Sequence, residues 1–297
     1  ELAWALLRFG SYSRAESRFH VALRIDPHDT NSLRGLAYTL MTQHQGNDDD
    51  TSTRQRIIKA FETLLQHDPR DAQSYVYLSR IIKDRAKKLE YLRRAIQMRP
   101  NWAFVHHELA QNLFEGGDTK LAIEHFQEAV RNERANMTNQ YIFLPQQTPR
   151  LSFLRFRESL GKAYEETNQI KNAIRVYEDA TKMYENMNLN SSKCVVVIED
   201  YELYEEMFLR TCRAHLNRPD PERALQCYVR SETLGLEFGR ICKSFSFSSS
   251  ESTNTTAKTK DNNVAVSYYL LGDTENAVHR LLRAESIRPE STIVHQN

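Results

Sequence analysis

One spacing of small and large side chains recurs seven times along the 297 residues of the chain. A small residue is followed four positions later by an aromatic or aliphatic residue, and three positions after that by a residue that is usually small. In four of the copies a proline stands five positions further on. Positions four and seven apart share one face of an α-helix, and proline ends a helix. The spacing therefore predicts seven amphipathic helices, whose copies start at Ala15, Ile57, Lys88, Ala122, Ala173, Ala224 and Ala277.

Another small residue marks a second helix ahead of each copy, in most copies twelve positions earlier. A large side chain usually follows this residue after three positions, so the two lie on one face of the helix. The sixth copy departs from the rule, because His215 stands where the other copies carry leucine, isoleucine or tyrosine. Each copy thus predicts a pair of helices, and the small residues of the first helices are Ala3, Ala37, Ser79, Ala110, Gly161, Cys212 and Ala265.

This arrangement resembles the tetratricopeptide repeat family over nearly the whole chain. The resemblance implies an all-α, right-handed superhelical solenoid of about seven helix pairs with loop insertions, in which each pair buries its apolar face against the next. The spacing is already in register at Leu2 and the sequence does not begin with methionine, so we expect that upstream repeats or a cap precede it. Residues 1–297 are predicted to form one solenoid, with repeats at about 1–29, 30–71, 72–102, 103–136, 154–187, 205–238 and 258–291.

Four segments interrupt the regular spacing. Residues 43–53 are polar and acidic, which predicts a loop inside the second repeat. Residues 135–152 form an insert that contains two prolines, and residues 188–204 are predicted as an extended loop that leads into a lengthened helix. Residues 243–263 are rich in Ser, Thr, Asn and Lys, so their low hydrophobicity predicts a flexible surface loop.

The sequence has no pattern that predicts catalysis, a cofactor, a bound metal or a membrane span. It lacks a G-x-G-x-x-G loop, and the His107-Glu108 dipeptide lacks the second histidine of a zinc-protease helix. No apolar run reaches the length of about 18 residues that a membrane helix needs. We therefore expect a non-enzymatic protein that takes no cofactor and no metal.

The cysteines indicate a reducing compartment. The four of them are 18, 15 and 15 positions apart and form no C-x-x-C pair. Cys212 takes a small core position of the repeat, and buried thiols are common in reduced cytosolic proteins. The sequence therefore predicts a buried thiol at Cys212 and a cytoplasmic location.

The resemblance also implies a binding groove, because the first helices of such repeats line a concave face. The mixture of cations and rings at the groove positions suits single-stranded nucleic acid, since cations meet phosphates and rings stack on bases. Residues 1–100 carry 17 Lys and Arg against 12 Asp and Glu, although the net charge of the whole chain is only +1. Arg34 and Arg80 could instead pair with neighbouring acids. The candidate groove residues are Trp4, Arg8, Arg34, Tyr38, Gln73, Arg80, Lys83, Phe104, His107, Gln111, Arg155 and Lys162.

A closer resemblance concerns the N-terminal third. Residues 1–8 resemble the E-G-W-A-L-L-K segment of the interferon-induced proteins with tetratricopeptide repeats, and residues 35–37 lie where those proteins carry G-Y-A. Those proteins bind the 5′ ends of foreign RNA, so the resemblance implies an antiviral role in innate immunity. It would make Trp4 the ring that stacks near the RNA 5′ end and Arg8 the phosphate contact. The family's further basic residue after G-Y-A is absent, because Thr42 or a neighbour stands there.

The alternative function is that of a protein-interaction adaptor or scaffold, which holds a peptide or a helix of its partner in the groove. This is the usual function of tetratricopeptide arrays. One family variant grips a terminal carboxylate with an asparagine at the ninth position of the first helix, and no repeat of this chain has asparagine there. The sequence therefore argues against that clamp and leaves both RNA and other peptides open as ligands.

Overall fold

The computed structural model describes residues 1–44, 51–136, 149–188, 198–218, 220–241 and 251–287, which form fourteen α-helices and no strand. The chain divides into two compact units, residues 1–146 and 147–297. Within each unit every helix packs against the next one along the chain. The prediction of an all-α solenoid of helix pairs is confirmed. No helix in these ranges is both long enough and apolar enough to cross a lipid bilayer.

The first unit contains four helix pairs and the second contains three. In the first unit the helices are α1 Leu2–Arg8, α2 Tyr12–Ile25, α3 Thr30–His44, α4 Thr51–His67, α5 Ala72–Ile81, α6 Arg85–Met98, α7 Ala103–Glu115 and α8 Thr119–Asn136. In the second unit they are α9 Pro149–Glu166, α10 Ile170–Asn188, α11 Ile198–Leu216, α12 Pro221–Ile241, α13 Glu251–Leu270 and α14 Thr274–Ile287.

Glycines on the first helices give space to large side chains on a neighbouring helix. A Cβ atom added to Gly35 of α3 would lie only 2.1 Å from the ring of Phe19 on α2. A Cβ atom added to Gly161 of α9 would lie 2.2 Å from the ring of Tyr177 on α10. Phe19 and Tyr177 are fully buried, so the contact between ring and glycine backbone sets the distance between these helices.

The first three inserts are shorter than the sequence suggested. Helix α3 continues to His44 and α4 begins at Thr51, so only residues 45–50 of the predicted acidic loop lie outside the described residues. Helix α8 ends at Asn136 and α9 begins at Pro149, while α10 ends at Asn188 and α11 begins at Ile198. The remaining parts of those two inserts, residues 137–148 and 189–197, lie outside the described residues.

Helix α13 begins at Glu251, so residues 251–263 of the predicted flexible loop are helical, while residues 243–250 lie outside the described residues. Ion pairs contribute to the packing of this helix beside its buried Val264 and Ala265. Asp261 is buried and accepts from Arg280 at 3.0 Å and from Arg283 at 3.3 Å. Arg280 also donates to both carboxylate oxygens of Glu232 on α12, at 2.8 and 3.1 Å. A bidentate pair of this kind orders polar side chains that composition alone assigns to a loop.

The predicted thiol at Cys212 is also wrong, because Cys212 and Cys227 form a disulfide bond. The repeat places Cys212 on α11 and Cys227 on α12, and their Cα atoms are 5.3 Å apart. That separation is ordinary for a disulfide. No C-x-x-C pattern marks this pair in the sequence, since the two positions come together only when the helices of the sixth pair pack.

Reduction of the disulfide is expected to destabilise the second unit. The bond closes a loop between positions 15 residues apart, and a loop of that length corresponds to about 3 kcal/mol in the chain-entropy account. Thermal unfolding followed by circular dichroism, with and without dithiothreitol, should show a lower Tm for the reduced protein. A Cys212→Ala/Cys227→Ala variant should lose this dependence on reductant. An unchanged Tm on reduction of the wild type would contradict the expectation.

Gly161→Ala is expected to destabilise the protein although alanine is the better helix former. The added methyl group meets the buried Tyr177 ring, and overpacking of a core costs about 1–3 kcal/mol. The gain in helix propensity is at most about 1 kcal/mol. Urea unfolding should therefore give a lower midpoint for Gly161→Ala and a midpoint near that of the wild type for the exposed control Lys171→Ala. A higher midpoint for Gly161→Ala would show that the ring can move aside.

Candidate protein-interaction surface

Side chains on successive first helices of the first unit contact one another directly. The Trp4 ring on α1 meets the Phe19 and Tyr38 rings edge-on, with centroids 5.5 and 6.3 Å away. The Tyr38 hydroxyl on α3 donates a hydrogen bond of 2.8 Å to Oε1 of Gln73 on α5. Three of the predicted groove residues, Trp4, Tyr38 and Gln73, are therefore brought together across α1, α3 and α5.

Arg34 extends this contact to the turn between α4 and α5. Its guanidinium lies 3.0 Å from a carboxylate oxygen of Asp68 and 3.5 Å from one of Asp71. The same Asp71 oxygen accepts from the Ser74 hydroxyl at 2.5 Å. Asp71 is buried, so the Arg34 charge balances a carboxylate that would otherwise be costly to remove from water.

Arg80 makes the corresponding link from α5 to α7. Its guanidinium carbon lies 4.7 Å from the centre of the Phe104 ring, which is a cation–π distance. The guanidinium also lies 3.3 Å from a carboxylate oxygen of Glu108. The alternative that Arg34 and Arg80 pair with neighbouring acids is thus correct, and Asp68, Asp71 and Glu108 are the partners.

Two of the predicted groove rings belong to the core instead. Tyr38 is only 3% exposed and Phe104 only 2%, so neither ring presents a face to a ligand. Burial, assisted by the charge of Asp71, raises the pKa of Tyr38 well above its ordinary value. The hydroxyl therefore stays protonated and remains a donor to Gln73. These buried rings help to hold the first helices in place, because each ring fills the space between two helix pairs.

The remaining predicted residues differ in exposure. Arg8, Lys83 and Arg155 are exposed and form no ion pair with any residue that the structure describes. The His107 ring lies 5.5 Å from that of Phe126, and the Gln111 amide lies exposed beside Glu115.

Arg155 and Lys162 belong to the second unit, and Lys162 pairs with Glu158. Among the predicted residues, direct contacts join Trp4 to Tyr38, Tyr38 to Gln73 and Arg80 to Phe104. Within the residues described, no three histidine, cysteine, aspartate or glutamate side chains are grouped so that they could hold a metal ion.

The repeat architecture agrees with comparison to known proteins. Residues 154–187 match the tetratricopeptide repeat family. These are the residues that the spacing assigned to the fifth repeat, and they fall within α9 and α10. No curated protein matches the sequence of the chain. The closer resemblance to the interferon-induced proteins therefore finds no support.

Solved tetratricopeptide-repeat structures share the fold. The C-terminal part of a repeat-containing protein from Cytophaga hutchinsonii superposes with a TM-score of 0.67 at 12% identity, covering 99% of this chain and 97% of that one. YrrB, described as a tetratricopeptide-repeat protein with an unusual peptide-binding site, gives 0.53 at 14% identity and covers 80% and 97%. MamA gives 0.50 at 19% identity and covers 63% and 96%. At such identities the likeness concerns the fold alone.

Tyr38→Phe is expected to lower the free energy of unfolding by about 1 kcal/mol, because it removes the hydrogen bond to Gln73 and keeps the ring. Urea unfolding at neutral pH measures the difference. Tyr269→Phe is the control, since the Tyr269 side chain is 65% exposed and its hydroxyl can bond to water in either state. An equal decrease in the free energy of unfolding of the two variants would show that the hydrogen bond between α3 and α5 does not stabilise the fold.

Proposed function

We propose that this protein is a non-catalytic interaction scaffold, and that the first helices of the first unit hold an extended segment or a helix of a protein partner. The observation that carries the proposal is the balance of charge on this surface. Arg34 is engaged by carboxylates in the turn between α4 and α5, and Arg80 by Glu108 on α7, so the surface offers hydrogen-bonding groups more than free charge. A protein ligand suits such a surface, because peptide recognition relies on backbone hydrogen bonds and a few side-chain contacts.

Amide side chains supply those hydrogen bonds. Asn31, Gln73 and Gln111 stand on α3, α5 and α7, and each is at least partly exposed. A primary amide both donates and accepts, so it can pair with a peptide group in either direction. The partly buried Trp4 ring adds apolar contact area at one end of the row. The peptide-binding site stated for YrrB, a protein of the same fold, supports this class of ligand.

Recognition of single-stranded or 5′-end RNA in antiviral defence stays a prediction. The phosphate contacts it requires would have to compete with carboxylates already bound to Arg34, Arg80 and Lys162. Arg8, Lys83 and Arg155 are the predicted cations that form no ion pair with described residues. The charge balance favours the protein ligand over the nucleic acid.

The cytoplasmic location also stays a prediction. A disulfide between Cys212 and Cys227 is typical of oxidising compartments, which weighs against it. Thiol labelling of the protein in intact cells separates the two outcomes, because a cytoplasmic protein would carry both cysteines reduced.

The test of the proposed function is selection from a random displayed peptide library, followed by titration of the selected peptides. A Gln73→Ala/Gln111→Ala variant should bind them about tenfold more weakly, as expected for two lost hydrogen bonds. The matched control is Gln66→Ala/Gln97→Ala, which removes two exposed amides from second helices. Equal losses in the two variants, or no selected peptide, would contradict the proposal.

A parallel titration tests RNA as the ligand. Short single-stranded RNAs with 5′-hydroxyl, triphosphate or capped ends are titrated at two salt concentrations against the wild type, Trp4→Ala and Arg8→Glu. Binding that depends on the 5′ end and is lost in both variants would replace the protein-ligand proposal with the RNA one. Binding that is absent even at low salt would leave the protein ligand as the function of this surface.

A further inference from the structure

The two sulfurs of the disulfide between α11 and α12 differ in their access to solvent. The Cys212 side chain on α11 is fully buried, at 0% exposure, whereas the Cys227 side chain on α12 is partly exposed. A disulfide is cleaved when a thiolate attacks one of its two sulfurs, so access decides which sulfur reacts. In this disulfide the sulfur that is open to attack belongs to Cys227.

Cys227 lines a cleft of about 390 Å³ in the second unit. Residues of α10, α11 and α12 form its lining, so the cleft lies apart from the predicted groove of the first unit. Its volume is near the lower end of the range of about 300–1,000 Å³ that small-molecule pockets occupy. Space of this size suits a small thiol better than the surface of a folded protein.

The cleft has no net charge that would select an anion or a cation. Three cations and two carboxylates line it, and the carboxylate of Asp220, which lies 3.4 Å from Arg223, balances the third cation. A small thiol that carries charges of both signs, as glutathione does, therefore meets neither net attraction nor net repulsion. The reactive sulfur in the wall, rather than the charge of the lining, is the feature that defines the ligand of this cleft.

His215 supplies a proton acceptor in the same cleft. It replaces the leucine, isoleucine or tyrosine of the other first helices, and its ring makes no hydrogen bond to any residue that the structure describes. Burial lowers the pKa of this imidazole, although the charges of Glu178 and Asp220 oppose the effect. Arg223 and Arg218 lower the pKa further. The ring is therefore neutral near physiological pH, and a neutral imidazole has one acceptor nitrogen.

We propose that a small-molecule thiol of the glutathione class enters this cleft and exchanges with the disulfide at Cys227. The thiol transfers its proton to the imidazole of His215, and its thiolate sulfur attacks Sγ of Cys227. A new S–S bond joins the small thiol to Cys227 while the bond to Cys212 breaks, and Cys212 leaves as a thiolate that takes up a proton. This exchange does not depend on the ligand of the first unit, since every residue involved lies in the second.

A second small thiol completes the reduction. It attacks the sulfur of the small thiol that is bound to Cys227, leaves as the disulfide of the two small thiols, and returns Cys227 as a thiol. Sγ of Cys227 lies 3.9 Å from the carbonyl oxygen of Phe208, which is an acceptor for the S–H group that this step creates. The cleft thus makes Cys227 the site of modification and leaves Cys212 inside the core.

The first test uses two variants that each keep one sulfur of the pair. Cys212→Ala leaves Cys227 as a thiol in the cleft, and Cys227→Ala leaves Cys212 as a buried thiol. Both are incubated with glutathione disulfide and quenched with acid, and peptide mapping by mass spectrometry measures the mixed disulfide at each position. We expect modification of Cys227 to be at least about tenfold faster than that of Cys212, because access limits the exchange. Equal rates, or a faster reaction at Cys212, would overturn the proposal.

The second test keeps the disulfide and narrows the cleft. Gln226 lines the cleft beside Cys227, whereas Val229 is 42% exposed on the same helix and does not line it. Gln226→Trp should slow reduction by glutathione about tenfold, and Val229→Trp should react at the wild-type rate. The released thiols are labelled with a maleimide dye after the quench. Equal rates in the two variants would overturn entry through the cleft.

A third arm distinguishes the source of the thiol. A folded protein with one exposed cysteine replaces glutathione at the same concentration of thiolate, and the rate of reduction of the wild type is measured again. We expect the protein thiol to react more slowly, because it cannot place its sulfur inside the cleft. A rate equal to that of glutathione would overturn the small-molecule source.

His215→Leu tests the proton acceptor. The variant should react with glutathione about tenfold more slowly than the wild type at pH 7, because general-base assistance is lost. At about pH 9.5 the two proteins should react at similar rates, since a free thiol with an ordinary pKa of about 8.5 is already ionised there. A rate ratio that is the same at both pH values would overturn the role of His215 in this exchange.

Discussion

The packing of a large side chain against a small residue on the next helix is the contact on which the rest of this structure depends. Phe19 lies against Gly35 between the first two pairs, and Tyr177 lies against Gly161 inside the fifth. A helix pair alone cannot bury such rings, so each pair is stabilised by its neighbour. The surface proposed to bind a partner depends on these contacts, because ring and backbone together fix the position of each first helix.

Polar contacts supplement this packing where the apolar pattern is weak. On α13 the ion pairs of Asp261 with Arg280 and Arg283 add to the burial of Val264 and Ala265, and a disulfide joins α11 to α12. A charged side chain that is buried without its partner costs free energy, so the ion pairs stabilise the fold only when both partners are present. The second unit therefore combines apolar packing with polar and covalent links, and the cleft beside His215 lies next to one of them.

The same balance decides which surfaces are open to ligands. In the first unit the guanidinium groups of Arg34 and Arg80 pair with Asp68, Asp71 and Glu108. These ion pairs join helices of the fold, so the two positive charges are already balanced by the protein itself. In the second unit Lys182 has no such partner among the described residues, and the His215 ring faces open space. The ion-pair partners of each charged side chain, rather than the number of charges on a helix, therefore decide which charges remain accessible.

The sequence by itself determined the helix pairs, their order and most of the buried positions. The reason is that small and large residues three, four and seven positions apart lie on one face of a helix, so their spacing alone shows which face is buried. It also marked His215 as an exception, although not as part of a cleft. Only the tertiary structure decided the charge partners of Arg34 and Arg80, the burial of Tyr38 and Phe104, the disulfide and the helical state of α13. Each of these depends on distances between residues on different helices, and a repeat pattern fixes which face of a helix is buried without fixing which polar groups meet there.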